Sequence, residues 1–383
     1  MEKRRTCRIL VAPNAMKGSL SAAQAAEAMA AGARRAAAGA EIVTCPVADG
    51  GDGLVEVLRT ALAGDMIECG VSGPLGIPLC AAYLWSRERG VAVIEMAQAS
   101  GLARLPAGAG NPLATTTFGT GELICDALKR GAGHLVLGLG GSATNDCGLG
   151  AAAALGLRFT DKAGRSLLPV GGSLGQVAAI DRTGLNPGLK GVRLEVMCDV
   201  ANPLLGPRGA TRVFGPQKGA TAEQVESLEA GMAHMAEVIL RETGRDVGSM
   251  PGGGAAGGLA AGLAGFFGAV LRPGTDVVLD LLGFDRLIEG TSLVLTAEGS
   301  LDEQTLAGKA PAGVARRSVS RGVPCFAIAG RVTGSRAALH AAGFSALFSL
   351  CDGPMTLAQA TEDSFRLLEA AAEEAVRAFV AGG

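Results

Sequence analysis

Three loops in the 383-residue sequence gather carboxylates, lysines and glycines into short runs. PNAMKGSLS carries Asn14, Lys17 and Ser19; ADGGDG carries Asp49, Gly50, Gly51 and Asp52; AEGSLDEQTLAGKAP carries Glu298, Asp302, Gln304, Thr305 and Lys309. The middle of the chain adds GGSATND with Gly140, Gly141, Ser142, Asn145 and Asp146, then CDVANPL with Asp199 and Asn202. FGPQKGA with Lys218 and PGGGAAGG with Gly253 and Gly254 follow. A glycine turn ahead of a helix bares backbone N–H groups, and the helix dipole favours an anion there. Lysines neutralise phosphate, and carboxylates hold a hard cation such as Mg²⁺ or orient an attacking hydroxyl. Together these groups fit phosphoryl transfer better than any other chemistry. On residue type, Lys17 and Lys309 are the candidate phosphate cations, Asp146 and Asp302 candidate metal ligands, and Asp49, Asp199 and Asp302 candidates for metal or hydroxyl.

A rival reading starts from HLVLGLGGSATND. Gly138, Gly140 and Ala143 match the dinucleotide pattern GxGxxA after a strand, and Asp161 stands near the distance expected of a ribose-binding acid. That would make an NAD-dependent oxidoreductase acting on a small hydroxy acid. Against it, Asp146 sits where its charge would oppose a pyrophosphate, and the acid and lysine loops elsewhere would go unused. A non-enzymatic receptor for a small acid is the third reading. The Walker sequence GxxxxGK[ST] and the HRD and DFG runs of protein kinases are absent, so phosphoryl transfer here needs another lineage.

These loops need a scaffold that delivers them to one place. CRILVAPNAMKGSLSAAQAAEAM reads as strand, loop and helix, with Ser19 or Ser21 as N-cap. EIVTCPVADGGDG followed by GLVEVLRTAL repeats the scheme, and SLVLTAEGSLDEQT, VPCFAIAGRV and SALFSLCDG give three more strands near the C-terminus. Five strands alternating with helices predict a parallel α/β sheet, whose ligands bind beyond the carboxyl ends of the strands. Between them, MIECGVSGPLGIPLCAAYLWSRERGVAVIEM has the texture of strands joined by tight turns. The expected architecture is a discontinuous Rossmann-like or flavodoxin-like domain, 1–70 and 291–383, with a second α/β domain, 71–290, inserted and the active site in the cleft between them. Asp199 follows the apolar strand LEVMC and is the acid we expect to act on the substrate hydroxyl.

Composition narrows the partners. A net charge of −2 with 18% charged and 3% aromatic residues offers no basic face or stacking platform for nucleic acid, and no polybasic membrane patch. A small ligand is the expected partner. Nine cysteines without a CxxC pair or zinc spacing read as reduced thiols, and the basic N-terminus is followed by too short an apolar run for a signal peptide, so the cytoplasm is expected. The uncharged part of Val247–Leu271 reads as a tightly packed internal helix rather than a membrane span, because Pro251 and many small residues make insertion unfavourable. His134, His234 and His340 lie outside the motifs, and Tyr83 and Trp85 should pack a strand of the inserted domain.

PNAMKGSLSA, ADGGDG, SGPLG, VIEMAQASGL, NPLATTTFGTGELI, GLGGSATND, DVANPL, FGPQKGA, PGGGAAGGLAAGL, LRPG and EGSLDEQTLAGKAP occur in that order. In this the chain resembles the bacterial glycerate kinase family over nearly its whole length. The resemblance implies ATP-dependent phosphorylation of D-glycerate, usually to 2-phosphoglycerate, with Mg²⁺, in a two-domain α/β monomer or homodimer. Asn14, Ala15 and Met16 stand where Asp, Ser and Phe are common in that family, Asp52 replaces a common Glu, and Ala297 and Ser300 stand where Gly and Arg are usual. Losing that arginine removes one fork able to grip a carboxylate or phosphate.

Overall fold

The computed structural model describes residues 7–50, 53–306 and 308–382. The chain forms two compact units, residues 1–61 with 275–383, and residues 62–274.

The first unit is built on five parallel strands in the order Glu41–Thr44, Arg8–Val11, Leu293–Leu301, Cys325–Val332, Ala346–Ser349. Ile9, Leu10, Val11, Leu293, Val294 and Leu295 are fully buried, which is why these strands read as unbroken apolar runs: helices cover both faces. On one face, helices Ala22–Ala36 and Ser364–Gly382 pack Ala25, Met29 and Ala33 against Leu368, Ala372 and Val376. On the other, helix Ala310–Ser320 sets Val314 and Ala315 against Leu10 and Val294. Of the two serines expected as N-cap, Ser21 serves: its hydroxyl accepts from Gln24 N–H while the Gln24 side chain accepts from Ser21 N–H. Numbered along the chain within this unit, the order is 2-1-3-4-5, the flavodoxin-like winding. Its direction reverses between Arg8–Val11 and Leu293–Leu301, the place where such sheets bind ligands.

The second unit holds a six-stranded sheet in the order Val270–Arg272, Arg193–Met197, His134–Gly138, Val91–Glu95, Pro78–Ser86, Asp65–Ser72. The first four are parallel, and Pro78–Ser86 pairs antiparallel with both its neighbours, so the turn-rich segment after Asp65 is the expected meander. Tyr83 and Trp85 are buried on strand Pro78–Ser86, and the Tyr83 hydroxyl donates to Asp126 at 2.7 Å. Within Val247–Leu271 the helix covers only Leu259–Phe267; the glycines before it form turns and Val270–Arg272 is strand. Among the described residues, no helix is long and apolar enough to cross a membrane.

Candidate functional site

In the first unit the carboxyl ends of the two strands at the reversal point gather a compact polar cluster. Asn14 follows strand Arg8–Val11, and its backbone N–H is fixed on the Ala297 carbonyl at 2.9 Å. Its side-chain amide donates to Asp49 Oδ2 at 3.2 Å. Asp49 Oδ1 accepts the N–H of Ala310 at 2.5 Å, placing a negative charge on the first turn of helix Ala310–Ser320, where the dipole favours it. Lys309, the N-cap of that helix, pairs through Nζ with Glu298 Oε1 at 3.1 Å. Thr305 Oγ1 donates to Glu298 Oε2 at 3.2 Å, and the Thr305 N–H donates to Asp302 Oδ1 at 3.1 Å. Glu298 is the sixth of the nine residues of strand Leu293–Leu301 and is buried. Burial pushes its carboxyl above the usual range and the Asp49 charge adds to this, while Lys309 opposes it. Lys17 is exposed in the turn that Met16 and Leu20 close, and the Ser19 hydroxyl donates to the Met16 carbonyl within that turn. Gly50 is half-buried beside Asp49. Gly51 lies outside the described residues, and Gln304 is placed only as a backbone position of helix Glu303–Leu306.

The second unit presents a glycine loop and an acid at the ends of its parallel strands. Gly140 and Gly141 follow strand His134–Gly138 and are both exposed; Ser142 is buried and bridges to Gly101. Asn145 Nδ2 donates to Thr211 Oγ1 at 3.0 Å, whereas Asn145 Oδ1 and Thr144 Oγ1 are buried with no hydrogen-bond partner. Each such atom calls for a partner, which a buried water can supply. Asp199 lies two residues beyond strand Arg193–Met197 and is exposed; its Oδ1 accepts the Gly274 N–H at 2.8 Å. The Asn202 side chain closes the following loop by donating to the Arg208 carbonyl at 2.7 Å.

Three expectations need correction. Asp146 is no metal ligand in this arrangement: it is fully buried, and its oxygens accept Thr117 N–H, Thr117 Oγ1–H, Gly148 N–H and Gly150 N–H at 2.7–3.1 Å. Its carboxyl is raised by that burial, and its work is to hold the loop onto helix Leu149–Ala154. Lys218 is not placed to meet a ligand. It is buried, its Nζ donates to the Thr144 carbonyl at 2.7 Å, and desolvation lowers its pKa to about 7. Gly253 and Gly254 are buried packing positions, and Gly254 N–H donates to the Asn202 carbonyl at 3.0 Å. A Cβ on Gly254 would lie 2.3 Å from the Pro203 carbonyl oxygen, and one on Gly257 would lie 1.9 Å from that of Thr144. The glycines are there because two backbones touch.

The dinucleotide reading fails on the same loop. No helix starts within the fingerprint, since helix Leu149–Ala154 begins after Asp146, Cys147 and Gly148. Asp161 turns back onto Arg165, which pairs with it at 2.8 Å. Thr117 had no distinguishing signal in the sequence, yet it supplies two of the four groups that hold Asp146; a threonine opening a helix is too common a pattern to reveal a buried partner.

Comparison with known proteins agrees with this fold. The family model described as "Glycerate kinase family" matches residues 9–380. A glycerate kinase of Bacillus subtilis is 45% identical, with 96% of each chain covered. The glycerate 2-kinase of Escherichia coli is 42% identical, with 94% of each chain covered. A solved structure from Salmonella typhimurium, assigned as a glycerate kinase 2, superposes with a TM-score of 0.88 at 41% identity, covering 98% of this chain and 99% of its own. With a family model spanning nearly all of it and relatives matched almost end to end, this chain belongs to the glycerate kinase family.

Proposed function

We propose that the protein transfers the γ-phosphoryl group of ATP to a hydroxyl of D-glycerate, giving 2-phosphoglycerate and ADP. The observation that carries this reading is the cluster at the strand-order reversal, where the Asn14–Asp49 pair and the Thr305–Glu298–Lys309 set meet at one helix N-terminus. Lysine, amide and helix N-terminus are the groups that bind phosphate oxygens. The Escherichia coli relative is named for the 2-position.

In this reading Lys309 and Lys17 neutralise the phosphates, and Asn14 and Thr305 hold their neighbours in register. Asp199 accepts the proton as the substrate oxygen bonds to the γ-phosphorus and the bond to the β,γ-bridging oxygen breaks, which releases ADP. Gly140, Gly141 and Ser142 present their loop to the glycerate carboxylate or to phosphate. Among the described residues no group of three or more His, Cys, Asp or Glu side chains is gathered to hold a metal ion. Mg²⁺ takes as few as one or two carboxylates and completes its shell with phosphate and water, so Asp302 would hold the ion together with the phosphates of ATP, and the ion would offset their charge. The nine cysteines are free thiols, in keeping with a cytoplasmic enzyme.

The test is phosphorus NMR of a reaction containing ATP, Mg²⁺ and D-glycerate. The expected result is stoichiometric ADP and 2-phosphoglycerate. Formation of 3-phosphoglycerate would overturn the position of transfer. Binding of glycerate with no ADP formed would favour a receptor over an enzyme.

A further inference from the structure

Beside the polar cluster, and sharing Asn14 with it, the first unit holds a cavity of about 370 Å³. That is within the range of small-molecule pockets, which run from about 300 to 1,000 Å³. Its walls are mostly apolar: Ala23 from the first turn of helix Ala22–Ala36, Pro46 and Val47 beyond strand Glu41–Thr44, Val57 from helix Leu54–Ala61, and Leu282 and Leu287. We propose that this cavity is the nucleobase subsite for ATP; the proposal rests on the kinase reading above.

The argument is one of matched chemistry. ATP is charged at one end and flat and weakly polar at the other. Asn14 belongs to both neighbourhoods: its side-chain amide meets Asp49, which meets the helix N-terminus, and the same residue lines the apolar cavity. A ligand with its phosphates on the polar cluster therefore has an apolar space next to it for its other end. D-Glycerate, three carbons carrying a carboxylate and two hydroxyls, has nothing to bury against Val47, Val57 and Leu287, so the cavity chemistry selects the base over the acid. Among the described lining residues no aromatic ring is present, so the base is held between aliphatic walls and must be read at its edge. Glu56 is the one carboxylate among those residues. It can accept from the exocyclic amino group of adenine, whereas guanine would turn a carbonyl oxygen toward it, which predicts a preference for ATP over GTP.

The test fills the cavity from two sides. Ala23→Trp and Thr60→Trp both change exposed residues of the lining and leave the buried core alone. Calorimetry with ADP should show binding weakened about tenfold or more in each variant, while inorganic tripolyphosphate, which has no base, binds as it does to the unmodified protein. Glu56→Gln should narrow the ATP-over-GTP ratio of kcat/KM by several-fold. Unchanged ADP affinity in both tryptophan variants would overturn the proposal, and so would equal weakening of ADP and tripolyphosphate. If ADP binding responds as expected but no phosphoryl group reaches D-glycerate, the subsite stands and the glycerate reading falls.

Discussion

The ammonium group of Lys218 donates to the carbonyl oxygen of Thr144 at 2.7 Å, across 74 positions of sequence and out of contact with water. This bond fastens the glycine loop from behind. It survives loss of the charge, because a neutral amine still donates, and burial makes the neutral form easy to reach, lowering the pKa from 10.5 to about 7. The folded state therefore binds fewer protons than the unfolded chain between those values, so this group makes stability rise with pH across that window. Thermal melts of the unmodified protein and Lys218→Met at about pH 6.5, 8 and 9.5 should show the unmodified protein gaining on the variant as pH increases. Parallel curves would mean that Lys218 titrates at its ordinary value.

Two kinds of glycine can be told apart by adding a methyl group. Gly257 has φ of +64°, and a Cβ there would overlap the Thr144 carbonyl, so Gly257→Ala should cost about 2 kcal/mol or more and lower Tm by several degrees. Gly140 is exposed, and a Cβ on it would meet nothing within 4 Å. Gly140→Ala should therefore fold normally, and any loss should appear as a raised KM for ATP or D-glycerate. A lowered melting temperature in Gly140→Ala would show that packing, not ligand approach, fixes that glycine.

The strands of the first unit were legible because apolar runs ending in polar loops are what a sheet buried on both faces requires, and the meander after Asp65 because its glycines and prolines punctuate it. Lys309, Glu298, Asp49 and Asn14 drew notice because acid, amide and lysine follow strands there, and the structure gathers them at the start of one helix. Sequence could not separate Asp146 from Asp302, or Lys218 from Lys309. Each pair shares a residue type and a glycine-rich setting, yet Asp146 and Lys218 are sealed inside by partners remote in sequence, Thr117 and Thr144. Likewise, PGGGAAGG reads the same whether its glycines face a phosphate or another backbone. Only the position of the Thr144–Asn145 segment against Gly257 decides it.

Glu298 should leave a mark on the pH profile. Its carboxyl is raised by burial, so its contribution to stability is full below the ordinary value of 4.5 and is lost as pH rises through the higher folded value. Activity runs the other way, because the ion pair that positions Lys309 needs Glu298 charged. The acid limb of kcat/KM should thus sit above the ordinary carboxylate range. Glu298→Gln keeps an acceptor for Thr305 and removes the titration, so that limb should shift or vanish. An identical acid limb in the variant would assign it to another carboxylate.

Asp199 is the acid for which structure and activity can be separated most cleanly. It is exposed at the end of strand Arg193–Met197, and one oxygen accepts the Gly274 N–H at 2.8 Å. Asp199→Asn retains an oxygen for that bond, so the loop and the melting temperature should change little. The charge that would take the hydroxyl proton is gone, so kcat should fall about a hundredfold or more, the usual scale for general base catalysis, with KM for both substrates little altered. A variant with near-normal kcat and a much higher Mg²⁺ requirement would make Asp199 a metal ligand instead. One with normal kcat and a lower melting temperature would reduce it to the acceptor that holds Gly274.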